Sequence, residues 1–376
     1  MSLSMTPAMK LCIIYNFAQK YREGIFALIE QLYDCHWVFG SNNTDIKGMD
    51  LSKLSDVTQV QTRTILKKFT YLPGTLSLIR RFNCFLMLGE LYSLSTWLTL
   101  ILCKFIFHKK KVYLWTHGWY GKEGRVRRVL KRLFFNMSDG VLLYGEYARR
   151  IAIQQGYKRN NLYVIHNSLD YDTQLKLRQS MQPSDVYTKL FGNEYPTLIF
   201  IGRLTIVKHL DLLIKAVYEL KKNGNFYNII FVGDGEEREH LESLVSSLDL
   251  TATTHFYGNS YEEEQNAPLI FNADLCVSPG NVGLTAMHSM VYGTPVLTHD
   301  DFPYQMPEFE AIKAGKTGDF FRHNDVNSLA ESIRRWFESP EYDRDKIRQA
   351  CYDEIDNFWT PQFQINIIRQ IILPTQ

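Results

Sequence analysis

The sequence lacks the features typical of secreted, metal-binding and nucleic-acid-binding proteins. Only six of its 376 residues are cysteines, at positions 12, 35, 84, 103, 276 and 351, and their spacing matches neither a disulfide framework nor a zinc site. We therefore expect reduced, buried thiols and no bound metal. A formal net charge of +2 gives no strong overall attraction to nucleic acid, so we expect no nucleic-acid partner.

Membrane-directing segments are also scarce. No long apolar core precedes Lys10, which favours a cytoplasmic location over secretion. The one long apolar stretch, residues 84–107, contains Glu90 and Lys104 and is followed directly by a strand-like pattern. We expect it to form a buried or interfacial helix rather than a transmembrane span.

A basic helical pattern comes further along the chain. Its cations alternate with apolar residues and are Arg125, Arg127, Arg128, Lys131 and Arg132. An amphipathic helix of this kind lies on anionic lipid in some proteins and is a solvated helix face in others, and the pattern fits both. The segment Arg125–Arg132 is thus a candidate for peripheral contact with the cytoplasmic face of the membrane.

What is present is a globular composition, with 45% hydrophobic and 22% charged residues, in a chain long enough for two α/β domains. In the second half, the apolar run Thr197–Ile201 predicts a strand, and a helical pattern starts at Leu210. The loop between them contains Arg203 and Lys208. Because parallel α/β sheets bind ligands beyond the carboxyl ends of their strands, these cations stand where an anion would be received. Both can equally be solvated loop cations.

Two further loops repeat the strand, loop, helix plan. Gly233-Asp234-Gly235 follows a buried strand, and its glycines would let a ligand approach the backbone. Residues 279–284 follow the strand pattern Leu275–Ser278 and open a helix. Free N–H groups and the helix dipole at such a position are suited to a diphosphate. Each loop alone is also compatible with an ordinary crossover connection.

Together and in this order, the loops resemble the donor-binding half of the retaining nucleotide-sugar glycosyltransferases with the GT-B fold, of the group 1 or family 4 type, which build bacterial surface polysaccharides. The matching positions are Gly202-Arg203, Lys208, Gly233-Asp234-Gly235, Gly283-Leu284, Met290, residues 293–296, Pro307-Glu308 and residues 315–318. The resemblance implies an α/β protein with two Rossmann-like domains that face each other across a cleft. We expect an acceptor-side domain over 1–185, a nucleotide-sugar domain over 186–355, and a C-terminal helix over 356–376 that crosses back to the first domain.

The chain departs from the family at both glutamates of the usual E-x7-E motif. Gly280 stands at the first position, where the family's glutamate helps to hold the donor sugar, and His288 stands at the second, where it contacts the ribose. His288 can still hydrogen-bond a ribose hydroxyl, or it can be a core histidine. The loss of both acids raises the alternative of a catalytically inactive member.

The expected function is transfer of a sugar from a nucleoside-diphosphate sugar to the hydroxyl of a saccharide or lipid-linked saccharide, with retention, as in polysaccharide, lipopolysaccharide or glycolipid synthesis. This would be a hexosyltransferase that needs no cofactor. The alternatives are a non-catalytic GT-B binding or scaffold subunit of a polysaccharide assembly complex, and a GT-B epimerase.

The resemblance also assigns residues to roles. Arg203 and Lys208 would stabilise the leaving diphosphate, and His117, at the carboxyl edge of a predicted strand, would lie at the reaction centre, although it can also be a structural strand cap. Arg22 and Glu23 would contact the acceptor, or be solvated. The donor-binding positions would be Gly24, Gly233, Gly235, Asn281, Val282, Gly283, Leu284, Thr285, His288 and Glu308.

Overall fold

The computed structural model describes residues 9–42 and 46–372, which fold into two compact units. One unit consists of the described residues up to Asp170 together with those from Thr360 onward, and the other is Tyr171–Trp359. The segment in which we expected no leader lies largely outside the described residues.

The strands are short and mostly buried. They are β1 (Lys10–Tyr15), β2 (Asp34–Phe39), β3 (Val57–Gln59), β4 (Arg63–Ile65), β5 (Phe69–Tyr71), β6 (Cys84–Leu88), β7 (Lys111–Thr116), β8 (Gly140–Leu143), β9 (Leu162–Val164), β10 (Thr197–Ile201), β11 (Asn228–Val232), β12 (Thr254–Gly258), β13 (Leu275–Ser278), β14 (Val296–His299) and β15 (Gly318–Phe321).

The helices connect these strands. They are α1 (Glu23–Leu32), α2 (Leu94–Phe105), α3 (Arg125–Asn136), α4 (Glu146–Gln154), α5 (Tyr171–Ser180), α6 (Val186–Phe191), α7 (Leu210–Lys222), α8 (Arg238–Ser247), α9 (Glu263–Asn272), α10 (Thr285–Met290), α11 (Val326–Glu338), α12 (Arg344–Phe358) and α13 (Pro361–Ile371).

The first unit is built on a seven-stranded parallel sheet in the order β3-β2-β1-β6-β7-β8-β9, with the antiparallel hairpin β4-β5 beside it. Alternate side chains of each strand enter two cores, one on each face of the sheet. Burial on both faces explains why these strands are nearly continuous apolar runs in the sequence.

The C-terminal helix α13 belongs to this first unit. Ile365 and Ile368 are buried in the core that also contains Ile25 and Ile29 of α1. The Ser168 hydroxyl donates to Gln364 Oε1 at 2.7 Å, and the Tyr33 hydroxyl donates to the Ile372 carbonyl at 3.0 Å. The chain therefore returns to its first domain at its end, as predicted.

The second unit has a six-stranded parallel sheet in the order β12-β11-β10-β13-β14-β15. The strand order reverses between β10 and β13, so the loops that follow these two strands flank the switch point where sheets of this kind bind ligands. These are the loops that contain Arg203 and Gly280. The two parallel sheets confirm the predicted α/β fold of two Rossmann-like domains.

The boundary between the units differs from the predicted one at residue 185. The polar connection contains α5 and α6, and both helices pack on the second unit. Arg178 of α5 forms a bidentate ion pair with Asp356 at 2.8 and 2.9 Å, and the Tyr187 hydroxyl of α6 donates to the Leu269 carbonyl. The second unit thus extends from Tyr171 to Trp359.

We expected the apolar stretch at residues 84–107 to form a helix. It instead forms a strand, β6, followed by a shorter helix, α2. Gly89 and Glu90 lie between them, and Ser93 caps the helix by accepting a bond from the Thr96 N–H. Within the described residues, no helix has the length and apolar composition needed to cross a bilayer.

Candidate functional site

Glycines allow the loops at the carboxyl edge of the second sheet to pack backbone against backbone. A Cβ on Gly233 would lie 2.0 Å from the Gly202 carbonyl oxygen, and a Cβ on Gly235 would lie 2.3 Å from that of Leu204. The Leu204 N–H donates to the Asp234 carbonyl at 2.9 Å. Loop packing alone therefore requires Gly233 and Gly235, and it holds the segment that contains Arg203 in a fixed position.

The Lys208 side chain connects two of the predicted donor loops. Its Nζ donates to the backbone carbonyl of Asn281 at 2.7 Å and to Asn281 Oδ1 at 2.9 Å. Burial lowers the pKa of Lys208 to about 8, an effect that Glu308 opposes and Arg203 reinforces. Three predicted site residues, Arg203, Lys208 and Glu308, thus lie within electrostatic reach of one another.

The same packing explains the absence of the first glutamate. A Cβ on Gly280 would lie 2.1 Å from the Val207 carbonyl oxygen and 2.7 Å from the Lys208 Cα. The Gly280 N–H donates to the Lys208 carbonyl at 2.9 Å. Any side chain at this position would have to displace the loop that carries Lys208, so no acid is accommodated in this arrangement.

The loop before α10 is partly occupied by the protein's own side chains. The Val282 N–H donates to Gln305 Oε1 at 2.9 Å, and the Thr285 hydroxyl donates to the Ile201 carbonyl at 3.0 Å. Gly283 takes a φ of +53°, which favours glycine. The predicted diphosphate donors are therefore restricted to Gly283, Leu284 and the backbone of Thr285, at the start of a helix of only six residues.

His288 does not stand alone at the second glutamate position. Its Nε2 lies 2.9 Å from Glu263 Oε1, which also accepts bonds from the Tyr292 hydroxyl at 2.7 Å and Gln174 Nε2 at 3.0 Å. Burial by itself would raise the pKa of Glu263, but the charge and hydrogen bonds of these partners lower it to about 2. Although burial opposes it, Glu263 also raises the pKa of His288. A carboxylate on α9 thus lies next to the position where α10 lacks one.

Glu308 is buried in the short 3₁₀ turn Pro307–Ala311, against the side of α10. Two further acids near this site, Asp300 and Asp301, both bind His323. Asp300 Oδ1 accepts the His323 N–H at 3.2 Å, and Asp301 pairs with the His323 ring at 3.1 Å.

Three histidines that the sequence analysis did not predict cluster near the carboxyl ends of β14 and β15. The His299 and His323 rings stack with their centroids 4.1 Å apart, and His209 approaches His323 edge-on at 6.4 Å. Burial, reinforced by His323, lowers the pKa of His299 to about 4. The rule that selected His117, a histidine at the end of a strand, would have found His299 as well.

In the first unit, the predicted residues Arg22 and His117 are close together. Arg22 is 4% exposed, and its guanidinium donates to the Tyr144 hydroxyl and lies 4.9 Å from the Trp115 ring centroid. The His117 ring lies 4.8 Å from Tyr144. Burial, together with the Arg22 charge, lowers the pKa of His117 to about 4, so the imidazole is neutral at pH 7.

Arg22 is an unusual buried cation. Its Nε and Nη1 atoms are buried without a hydrogen-bond partner among the described residues. Four aromatic rings surround the guanidinium at 4.9 to 5.4 Å, but a buried charge that is not paired with a carboxylate still costs several kcal/mol. Sequence reasoning named Arg22 but could not foresee its burial, because the surrounding aromatic residues include Tyr15 of β1, Trp115 of β7 and Tyr144 directly after β8.

The other two predicted residues of this unit have structural partners. Glu23 forms an ion pair with Lys53. Gly24 lies on α1 where a Cβ would come 3.0 Å from Pro361 of α13, so its small size serves helix packing. These contacts account for both residues without a ligand.

Cysteine and metal chemistry give no further site. All six cysteines are free and buried, as expected. Within residues 9–42 and 46–372, no group of three or more histidine, cysteine or acidic side chains is arranged to hold a metal ion.

Comparison with known proteins relates this geometry to a family. Residues 187–352 match the model of the glycosyl transferases group 1. An uncharacterised 41.2 kDa protein in the cps region of Klebsiella pneumoniae is 24% identical over 274 residues, which are 70% of this chain and 65% of that protein. An uncharacterised glycosyltransferase of Haemophilus influenzae is 24% identical over 237 residues, 61% of each chain. The chain thus spans less than two thirds of the length of these relatives.

Among solved structures, Anabaena HepE in complex with UDP superposes with a TM-score of 0.70 at 15% identity, covering 96% of this chain and 99% of that one. At this identity the likeness establishes the fold, which is GT-B. The family match thus lies within the second unit, and the superposition on HepE extends over nearly the whole chain.

Proposed function

From a domain that matches the group 1 glycosyl transferases, we propose that this protein transfers a sugar from a nucleoside-diphosphate sugar to an acceptor hydroxyl with retention of anomeric configuration. The bond between sugar C1 and the diphosphate oxygen breaks, and a bond from C1 to the acceptor oxygen forms. The acceptor's proton goes to the departing phosphate oxygen. The sugar passes through an oxocarbenium-like state while charge develops on the diphosphate.

The observation that carries the proposal is the pair of cations at the switch point of the second sheet. Arg203 is exposed on a loop fixed by glycine packing, and Lys208 is anchored to Asn281. Fixed donors directed at a developing negative charge contribute on the order of 3 kcal/mol each to transition-state stabilisation. The donor's diphosphate is therefore assigned to Arg203, Lys208 and the N–H groups at Gly283 to Thr285.

We assign the remaining roles by chemistry. The Glu263–His288 pair would hydrogen-bond the ribose hydroxyls in place of the missing glutamate, and Glu308 would lie near the donor sugar. Arg22 and His117 of the first unit would contact the acceptor. The neutral His117 imidazole can accept or donate a hydrogen bond without carrying charge at pH 7.

The relatives support a narrower setting for the reaction. The Klebsiella relative is named for its place in a cps region, and HepE was solved with UDP and with UDP-glucose. We accordingly propose a hexosyl donor and a role in polysaccharide, lipopolysaccharide or glycolipid synthesis.

Arg203→Ala tests the proposal. Turnover of the donor should fall by about 100-fold, which corresponds to the loss of one charge-directed donor of about 3 kcal/mol. Arg322→Ala, which removes another exposed arginine, paired with Asp325, is the matched control and should leave turnover unchanged. Activity of Arg203→Ala within a few-fold of the parent would reject the role of Arg203.

The rival is a binding subunit without catalysis, which the closed space at Gly280 favours. A thermal-shift screen with UDP-, GDP-, ADP- and dTDP-sugars separates the readings. Stabilisation followed by transfer to a saccharide acceptor supports the transferase, and stabilisation without transfer supports the binding subunit. Conversion of the free donor without any acceptor would indicate an epimerase. No response to any nucleotide contradicts all three.

A further inference from the structure

The first unit contains an open cavity of about 710 Å³ that the proposed reaction does not use. It lies between the hairpin β4-β5, the turn before α2, and the start of α3. Its walls are mainly apolar and include Phe69, Leu94, Trp97, Val126 and Leu130. This volume is within the range of about 300–1,000 Å³ typical of sites for small apolar ligands.

The rim of the cavity is cationic. Lys68, Arg125 and Arg127 line it, and none of its described lining residues is acidic. Lys68 Nζ and the Arg127 guanidinium lie 4.4 and 6.0 Å from the Tyr92 ring centroid, on the same aromatic side chain. The nearby acid Glu123 is buried and bonded to Lys131 at 2.7 Å, so it does not neutralise these cations.

The apolar side of α3 faces solvent instead of the core. Val126 is 75% exposed, and Val129, Leu130 and Leu133 are also exposed, whereas only Lys131, Phe134 and Phe135 of this helix are buried. The neighbouring helix α2 exposes Leu98, Ile101 and Phe105 on one of its faces. At the tip of the hairpin, Leu66 is 83% exposed next to Lys67 and Lys68. A monomer in water would not normally leave so many large apolar side chains exposed together with cations.

We propose that this cavity binds an apolar chain of an anionic membrane phospholipid, with its phosphate held by Lys68, Arg125 and Arg127. The exposed apolar residues of α3 and the hairpin tip enter the interfacial layer of the bilayer around it. An apolar cavity with a basic rim selects an amphiphile with an anionic head, because neither a free phosphate nor a neutral apolar molecule satisfies both parts. Lipid binding needs no nucleotide sugar, so its failure would leave the proposed transferase untouched.

Vesicle sedimentation tests the headgroup part of the proposal. The full chain should bind vesicles of phosphatidylglycerol and phosphatidylcholine far better than vesicles of phosphatidylcholine alone, and less as salt rises. The double variant Arg125→Gln, Arg127→Gln should bind the anionic vesicles about 25-fold more weakly, since each interfacial cation contributes about fivefold. The matched double change Arg334→Gln, Arg335→Gln on α11 should have no effect. Equal binding to both vesicle types would overturn the proposal.

Trp97 reports on the cavity itself. It is the partly exposed tryptophan of the described chain, and it lines the cavity, whereas the other five tryptophans are buried. Lipids with brominated acyl chains should therefore quench its emission, and Trp97→Phe should remove the quenched component.

Gly124 offers a way to fill the cavity without straining the backbone. Its φ is −66°, and a Cβ there would meet no atom within 4 Å. Gly124→Leu should at least halve the quenching of Trp97 while the protein stays folded, whereas Val129→Asp, on the same helix outside the cavity, should weaken vesicle binding without blocking the cavity. Unchanged quenching in Gly124→Leu would show that no chain enters the cavity and would overturn the proposal. Equal quenching by a soluble brominated amphiphile without a phosphate would show that the cavity does not select an anionic head, which would also overturn it.

Discussion

The backbone around Gly280 leaves no space for a side chain, and this can be tested with the smallest possible change. Gly280→Ala would place a Cβ 2.1 Å from the Val207 carbonyl oxygen. Overpacking of this kind costs about 1–3 kcal/mol, which corresponds to a fall of roughly 5 °C in the melting temperature of a domain of this size. Gly124→Ala is the matched control, because its Cβ meets no atom within 4 Å. A melting temperature for Gly280→Ala equal to that of the control would show that the loops can separate.

The Glu263–His288 pair gives a pH-dependent contribution to stability with a defined sign. The pKa of Glu263 falls from its ordinary 4.5 to about 2, so its contribution is present above pH 4.5 and is lost as the pH falls towards 2. The pKa of His288 rises above its ordinary 6.5, so its contribution is present below pH 6.5 and is lost as the pH rises through the folded pKa. The pair therefore stabilises the fold most between about pH 4.5 and 6.5.

Melting curves of Glu263→Gln at several pH values measure this contribution. The variant should be less stable than the parent by the largest margin near pH 5.5, and the margin should shrink as the pH rises through the folded pKa of His288. Glu264→Gln, an exposed neighbour, should follow the parent throughout. A margin independent of pH would mean that the hydrogen bonds matter and the charges do not. If the pair also meets the ribose, the donor KM should rise with little change in kcat.

Arg22 should show a conflict between stability and function. Replacing a buried, poorly satisfied charge by an apolar side chain of similar volume is often neutral or stabilising. We therefore expect Arg22→Met to keep or raise the melting temperature while turnover falls at least about tenfold, as for the loss of a charged hydrogen bond to the acceptor. The pKa of His117, followed by NMR, should rise from about 4 because the nearby charge is gone. Lys20→Met, at an exposed cation on the same loop, is the control, and a large loss of stability in Arg22→Met would instead show a structural role.

At the scale of elements, the end of the chain stabilises the beginning. Ile368 of α13 is fully buried in the core that includes Ile25 and Ile29 of α1. Ile368→Ala should lower the free energy of unfolding by about 2–5 kcal/mol, because it removes buried methyl groups and leaves a cavity. Asn366→Ala, at an exposed position of the same helix, should change it by less than about 0.5 kcal/mol. Equal effects of the two changes in denaturant titrations would contradict the docking of α13.

Elements with a strong local pattern were predictable from the sequence. The strands around Ile199, Ile230 and Val277 are buried on both faces and are continuous apolar runs, and the apolar residues of α13 recur at helical spacing. The segment at residues 84–107 was not, because a buried strand and a helix are both apolar and only Gly89 and the Ser93 cap separate them. The sequence pattern of α3 left lipid contact and a solvated helix face both open, and the exposure of its apolar side chains is visible only in the folded structure.

The site residues likewise fall into those that the sequence could predict and those that it could not. Arg203 and Lys208 were found because loops after parallel strands are positioned by topology alone. Glu263 was missed because its role depends on α9 bringing it 2.9 Å from His288, a contact between residues with no shared motif. The sequence analysis singled out Gly233, Gly235 and Gly280. The reason that each must be glycine is the close approach of a neighbouring loop, which only the folded backbone reveals.

The molecule consists of two units with separate cores, and each should carry its own share of the stability. Gly280→Ala changes the second unit and Ile368→Ala the first. In differential scanning calorimetry, each substitution should therefore lower one component of the unfolding transition and leave the other in place. The double variant should show the sum of the two losses within about 0.5 kcal/mol, as expected for independent sites. The contrary result is a single unfolding transition that both substitutions lower, with effects that are far from additive. It would show that the two units unfold as one cooperative body.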